Sequence, residues 1–362
     1  MHLSWLELRD FRSYEAVAFN PEPGVNVLVG DNGAGKTSII EAIGYLGMMR
    51  SFRGVPDSAL IRTDAPAAVL RGGFGGGPTE TTVECELPRE GRRAVLVNTK
   101  RPTRMRDVLL AVPIVSFMPD DLDIVKRGPA IRRDYLDDLA TMLWPQAAAD
   151  LAEFERTLKQ RNALLRQEGR HTDPVTLSVW DERLSEAAAN VLLHRRAVAT
   201  ALQPLLLEAY EQIGGSGELR WAYRSTWGSD DVWDKADLST AMATALTDRR
   251  PRDLDVRSTT VGPHRDEPDL LLDGRSTRRQ ASQGEQRTVA LALRVSSHTL
   301  ITEVRDVVPL LLLDDVFSEL DVARASRVLS LMPTGQVFVT TAREDEVPIE
   351  GRRWSVSNGE VS

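Results

Sequence analysis

The chemistry in this chain is densest at Gly30-Asp31-Asn32-Gly33-Ala34-Gly35-Lys36-Thr37-Ser38. The stretch follows an alternating run, Val25-Asn26-Val27-Leu28-Val29. It opens one with helical spacing: Ile39, Ile40, Ala42, Ile43 and Leu46. A strand, a glycine-rich turn and a helix start make up a phosphate-binding loop. The glycines let the backbone curl around an anion with its N–H groups inward, and the helix dipole adds to the attraction. In such a loop Lys36 reaches the β- and γ-phosphates and the Thr37 hydroxyl ligates Mg²⁺. ATP with Mg²⁺ is the expected cofactor, cradled by residues 30–38.

Two further stretches extend the site. Leu310-Leu311-Leu312-Leu313 runs into Asp314 and Asp315. In P-loop enzymes an acid at the end of such a strand holds Mg²⁺, which is the role expected of Asp314. Asp315 is placed to accept a proton from the attacking water. Ser282-Gln283-Gly284-Glu285-Gln286 is a second turn of small residues ahead of a helix, without a lysine, 246 positions beyond Lys36. A monomeric ATPase has no need of it. It makes sense if Ser282, Gln283 and Gly284 close the site of another copy, sealing ATP between two subunits until hydrolysis releases them.

The elements that must position these residues follow from periodicity. Residues 3–20 read as two strands joined by a turn, and 68–99 as a short antiparallel sheet with turns at Gly75–Pro78 and Arg89–Gly91. Pro113–Phe117 reads as a buried strand. From Ala130 the pattern becomes helical, with Leu151, Phe154, Leu158 and Leu165 on one face. Beyond a turn at 168–174, Leu184, Ala188, Val191, Val198, Leu202 and Leu205 form a seam with Arg195 as its one polar member. That spacing predicts a helical hairpin whose arms, at about 1.5 Å per residue, are roughly 30–50 Å long. Further on, strands are expected at Leu219–Tyr223, Arg257–Val261 and Leu270–Leu272, and a helix at Ala236–Thr247. A helix from Ser282 to Glu303, the acid-ended strand, a helix at Ala323–Met332 and strands at Gln336–Thr340 and Trp354–Val356 complete the chain. The fold class is α/β: a P-loop head at 1–125 and 256–362, with an inserted α-helical arm at 126–255.

Totals bound the rest. The 362 residues carry 45 basic and 53 acidic side chains, a net charge of −8, which argues against a surface coated for indiscriminate nucleic-acid binding. One cysteine excludes an intrachain disulfide and a multi-cysteine zinc site. No apolar run approaches a membrane span, and the first residues lack a leader pattern, so a cytoplasmic protein with no membrane partner is expected.

The motifs also carry a resemblance. Ser282–Gln286 resembles the signature motif of ATP-binding-cassette (ABC) ATPases, and residues 311–321 resemble their Walker B strand and D-loop. A helical arm between the two halves is the plan of the SMC and Rad50 class. Arg9–Tyr14, Gly30–Ser38 with Glu41–Ile43, Lys126–Arg133, Leu158–Leu165, Gly262–Asp266 and the 282–321 motifs are similar to the RecF family, over essentially the whole chain. The resemblance implies an ABC-type head and an ATP-dependent homodimer. It also implies binding of single- and double-stranded DNA at gaps and junctions, work with RecO and RecR to load RecA, and slow, DNA-triggered ATP hydrolysis. A transporter ATPase subunit is the alternative, disfavoured by the long gap between loop and signature.

Three positions depart from the wider cassette pattern. The glutamine expected after the strand before the arm is missing; Asp120 stands near its place and is a further Mg²⁺ candidate. Thr341 replaces the histidine after the strand that follows Walker B. The base is an aspartate, Asp315, one methylene shorter than the usual glutamate. A weaker γ-phosphate sensor and a shorter base predict low turnover. For DNA, two basic clusters stand out: Lys100, Arg101, Arg104 and Arg106, and Lys126, Arg127, Arg132 and Arg133. Either they meet phosphates, or they are solvated or paired, Arg132 and Arg133 with Asp134, Asp137 or Asp138.

Overall fold

The computed structural model describes the chain apart from residues 77–79, 103–107, 109–110, 229–232, 317–321, 332–334, 345–346, 348–349 and 358, and the side chains of 119 and 322–324. Arg104, Arg106 and the D-loop lie outside the described residues. The chain forms two compact units, a head of Met1–Leu122, Glu208–Ser216 and Arg287–Ser362, and an insertion of Asp123–Leu207 and Gly217–Gln286.

In the head, β1 (His2–Phe11), β2 (Tyr14–Phe19), β4 (Ala67–Gly75), β5 (Thr81–Pro88) and β6 (Ala94–Val97) form an antiparallel sheet in the order β2-β1-β4-β5-β6. A second sheet takes β3 (Val25–Val29), β7 (Ile114–Phe117), β11 (Leu310–Asp314), β12 (Val337–Thr341), β13 (Arg352–Ser357) and β14 (Glu360–Val361) in the order β14-β13-β3-β12-β11-β7. Its inner pairs are parallel. Such strands are covered on both faces, which is why β11 reads as unbroken leucine rather than alternation.

Helix α1 (Lys36–Met48) packs against strands of both sheets. Ile39, Ile40, Ala42, Ile43, Tyr45 and Leu46 are all fully buried in the core that joins them. A helix apolar nearly all round fits between layers. Buried Gln336 ties the layers through polar groups: its Oε1 accepts from Leu3 N at 2.6 Å, and its Nε2 donates to Leu3 O at 3.0 Å and Glu22 O at 2.9 Å.

The insertion holds α2 (Leu122–Lys126), α3 (Pro129–Leu143), α4 (Pro145–Glu168) and most of α5 (Pro174–Gln212). It is not purely helical. β8 (Leu219–Arg224), β9 (Glu267–Leu272) and β10 (Arg275–Ser276) form a three-stranded antiparallel sheet, followed by the short α7 (Thr277–Gln280). Because β9 pairs with β8, residues 256–286 fall in this unit, whereas the sequence reading drew them with the head. Arg195, the polar member of the seam, is buried and bonds Asp137 through two nitrogens, each at 2.7 Å. The seam itself continues through Leu206 rather than Leu205, past Pro204.

One expected element runs longer than its pattern and one is absent. The helix expected at 236–247 is α6 (Lys235–Val256) and runs through Pro251. The strand expected at Arg257–Val261 is absent. Arg257 closes α6 in a left-handed conformation at φ 55°. Thr259 then donates through N and Oγ1 to Asn162 Oδ1 at 2.7 Å, and Thr260 through N and Oγ1 to Asp253 Oδ1 at 2.9 and 2.6 Å. The β-branched residues read as a strand, yet their backbone is satisfied by side chains. This also accounts for Leu158–Leu165 and Gly262–Asp266. His264 Nε2 donates to Thr259 O, 3.1 Å away, and the ring packs on Phe154, while Pro263 O receives Arg195 and Asp266 receives Tyr223.

Helix α8 (Gln283–Arg305), which belongs to the head from Arg287 on, buries His298, whose imidazole pKa is pushed down to about 4 by burial, partly offset by a bond with Pro309. The unfolded chain takes this proton near pH 6.5 and the folded chain only near 4. Stability from this group is therefore complete above 6.5 and lost as pH falls through that window. His264 acts in the same direction; Asp266, raised to about 6 by burial, opposes. Denaturant midpoints are expected to be lower at pH 5 than at pH 7.5, with a smaller gap in His298→Gln. An equal gap in the variant excludes His298 as a source.

Candidate functional site

The C-terminal ends of β3, β12 and β11 lie side by side, and the site is built there. Val29 pairs with Thr341, and Thr340 with Asp314. β3 leads into the loop at Gly30, where a Cβ would stand 2.3 Å from Val356 O, so the first residue can only be glycine. The loop ends at Gly35, which caps α1 with φ 109°. The first turn of α1 has no side-chain cap and no acidic residue, leaving its amides to an anion.

Lys36 is buried, and its Nζ donates to Gly30 O at 2.6 Å and Asp31 O at 2.8 Å. Burial lowers its pKa; Asp315, Asp314 and Asp31 oppose that shift. All three carboxylates therefore bear on the lysine. Thr37 Oγ1 donates to Asp314 Oδ1 at 2.9 Å, joining the loop to the acid-ended strand across 277 positions. A hydroxyl beside a carboxylate is a hard-oxygen pair that fits Mg²⁺, the phosphate oxygens supplying further ligands.

One functional residue escaped the sequence reading. Thr340 Oγ1 donates to Asp314 Oδ1 at 2.7 Å and accepts from Asp315 N at 2.9 Å. It fixes both acids. The available signal was a threonine at the end of the strand beside β11. Asp315 is exposed in a left-handed conformation at φ 52°. Asp31, Asn32 and Gly33 are exposed at the tip of the loop; Ala34, Gly35, Thr37 and Ser38 are half-buried.

Other expectations are placed differently. The Thr341 hydroxyl is engaged locally, donating to Arg343 O at 2.8 Å and accepting from Arg343 N at 3.1 Å, a turn that competes with any role as phosphate sensor. Asp120 is exposed on the turn after β7. Its neighbour Asp121 is the engaged acid, accepting from Met118 N at 2.8 Å and pairing with Arg294. Ser282, Gln283 and Gly284 are exposed in the insertion unit. Ser282 N donates to Glu285 Oε2 at 2.6 Å and Glu285 N to Ser282 Oγ at 3.3 Å, a capping box that presents the start of α8. The Ser282 bonds hold the Glu285 carboxyl below its usual range.

The second basic cluster divides. Arg132 is buried, donating to the carbonyls of Pro268, Ile124 and Arg127, and Arg133 donates to Asp266 O. Arg132 is thus an internal tie rather than a DNA contact. Arg127 pairs with Asp123; Lys126, Lys100 and Arg101 are exposed.

A phosphate loop joined through a threonine to an acid-ended parallel strand, with a signature turn ahead of α8, defines a P-loop ATPase head of the ABC type. The family model for the RecF/RecN/SMC N-terminal domain matches residues 2–353. The chain belongs to this family and, within it, to the RecF proteins. It is 43% identical over 376 residues to a DNA replication and repair protein RecF of Frankia alni, covering 100% of this chain and 99% of that one. To its counterpart in Acidothermus cellulolyticus it is 40% identical over 370 residues, covering 100% and 99%. Among solved structures, the recombination mediator protein RecF with ATP, in the RecFOR pathway, superposes with a TM-score of 0.94 at 30% identity, covering 100% of this chain and 97% of that one. An Smc head bound to the C-terminal winged-helix domain of ScpA shares the fold, with a TM-score of 0.58 at 20% identity, covering 100% and 96%.

Proposed function

We propose that this chain is an ATP-driven, DNA-binding recombination mediator of DNA replication and repair. ATP and Mg²⁺ are held by residues 30–38 with Asp314, and Asp315 serves as the base for slow hydrolysis. Ser282, Gln283 and Gly284 complete the site of a second copy, so nucleotide acts as the switch of a homodimer that clamps gapped DNA. RecO and RecR are its partners and RecA the protein it helps to load, in the cytoplasm. Among the described residues no helix is long and apolar enough to cross a membrane.

The observation that carries this reading is the Thr37–Asp314 contact beside buried Lys36. The exposed, serine-capped signature turn supports the second copy. Light scattering after size exclusion tests it, with and without ATP and Mg²⁺. The parent is expected to dimerise with nucleotide. Lys36→Arg should bind ATP weakly and stay monomeric. Ser282→Arg should bind ATP yet stay monomeric; a normal dimer from that variant would remove the composite site.

For the DNA role, Lys100→Ala, Arg101→Ala and Lys126→Ala are each expected to flatten the plot of log affinity against log salt by about 0.9 per lost duplex phosphate contact. Arg132→Ala should leave the slope unchanged and lower stability, because it removes bonds to three carbonyls, two of those bonds buried. A flattened slope in Arg132→Ala at full stability would reverse that assignment.

A further inference from the structure

Tyr14 opens β2 and is wholly buried, yet among the described residues its hydroxyl has no hydrogen-bond partner. Three other tyrosine hydroxyls are provided for. Tyr45 bonds Asp57 at 2.9 Å and Arg93 at 3.1 Å, Tyr223 bonds Asp266 at 2.9 Å, and Tyr210 bonds Ser216 O at 3.4 Å. A hydroxyl buried without a partner is destabilising by its full desolvation, and phenylalanine would fill the same space without that penalty.

The position of the hydroxyl suggests what offsets this. A Cβ built on Gly35 would lie 2.6 Å from Tyr14 Oη, so the phenol presses on the residue that ends the phosphate loop and caps α1. The turn carrying Tyr14 is anchored to that helix. Arg12 donates through Nε and Nη2 to the buried Glu41 carboxylate, both at 2.8 Å, and through Nη1 to Ala59 O at 3.0 Å. Ser51 Oγ also donates to Glu41. The phenol is thus held by these bonds against the end of the loop that opens α1. Burial pushes its pKa up to about 12, so it keeps its proton and can only donate to an anion.

We propose that Tyr14 is a further nucleotide ligand, its hydroxyl donating to a phosphate oxygen seated at Gly35. When a triphosphate draws Lys36 from the Gly30 and Asp31 carbonyls, the loop rearranges and the hydroxyl gains its acceptor. This rests on the ATP-binding reading above. It adds a residue from β2 to a site otherwise built from the loop, β11 and β12.

The test is Tyr14→Phe in the full chain, with calorimetric titration of ATP and of ADP in Mg²⁺ and thermal melts without nucleotide. Opposite signs are expected. The nucleotide-free midpoint stays level or rises by a few degrees, while affinity for both nucleotides falls on the order of tenfold, as for one hydrogen bond to a charged acceptor. Affinities within twofold of the parent overturn the proposal while leaving the ATP reading intact. A lower midpoint or failure to fold also overturns it, since the hydroxyl would then have a partner without nucleotide. A parent that binds no ATP removes both readings.

Discussion

Asp315→Asn is expected to lower ATP turnover by about 10²–10⁴-fold, the range for loss of a positioned general base, with ATP affinity within about threefold of the parent. The basis is a division of labour between adjacent carboxylates. Asp314 is buried and receives both Thr37 and Thr340, so it is committed to the loop and, in the proposed function, to Mg²⁺. Asp315 projects from the same strand end with its own N–H held by Thr340, and its left-handed backbone turns it outward. A non-glycine residue held at positive φ is mildly strained, and such strain gathers at active sites. Asparagine tolerates that backbone, so the substitution exchanges the carboxylate without forcing a new backbone conformation. Single-turnover hydrolysis measured beside equilibrium ATP binding separates the two steps. A turnover within threefold of the parent would exclude Asp315 as the base. Asp315→Glu supplies the missing methylene; if base length limits the rate, this variant hydrolyses faster than the parent.

The loop and the acid-ended strand were legible because their chemistry is local. Gly30, Gly35, Lys36 and Thr37 sit in one turn, and four leucines before Asp314 describe a strand covered on both faces. Thr340 was less legible because its role depends on strand order: only when β12 lies between β3 and β11 does its hydroxyl meet Asp314. Thr341 illustrates the converse, since a place in a motif says nothing of the turn that engages its hydroxyl. In the insertion, Arg132 read as a surface cation among cations; its burial depends on three carbonyls contributed by Pro268, Ile124 and Arg127. Thr259, Thr260 and Val261 read as strand because β-branched residues favour it, and the partners that prevailed, Asn162 and Asp253, lie elsewhere in the chain. The signature turn was legible as a helix start, for a capping box is a four-residue pattern. What it faces is a matter of assembly, on which a single chain is silent.

Arg161→Ala is expected to be the most damaging single substitution in the insertion. The Arg161 side chain is fully buried, with Nε on Asp181 Oδ1 at 2.7 Å and Nη1 on Asp253 Oδ2 and Thr259 Oγ1, each at 2.8 Å. Arg250 also reaches Asp181 at 2.7 Å, so Asp181 keeps a cation when Arg161 is removed. Among the described residues Asp253 keeps only the neutral side-chain and backbone donors of Thr260. Its side chain is wholly buried, and a buried carboxylate stripped of its counter-charge costs about 3–5 kcal/mol. Because the chain forms two units, the loss should appear as a transition of the insertion rather than of the whole protein. Trp227, in the core with Phe154, Leu184 and Val261, is a fluorescence probe on the right side of that division. Urea titration should show an early Trp227 transition in Arg161→Ala, partly restored by adding Asp253→Asn, which removes the stranded charge. ATP binding by the head should survive, while the proposed ATP-dependent dimer should weaken with the unit that carries Ser282. An unshifted transition would mean that water reaches Asp253 and that the pair contributes little; loss of ATP binding together with the dimer would mean that the two units do not fold separately.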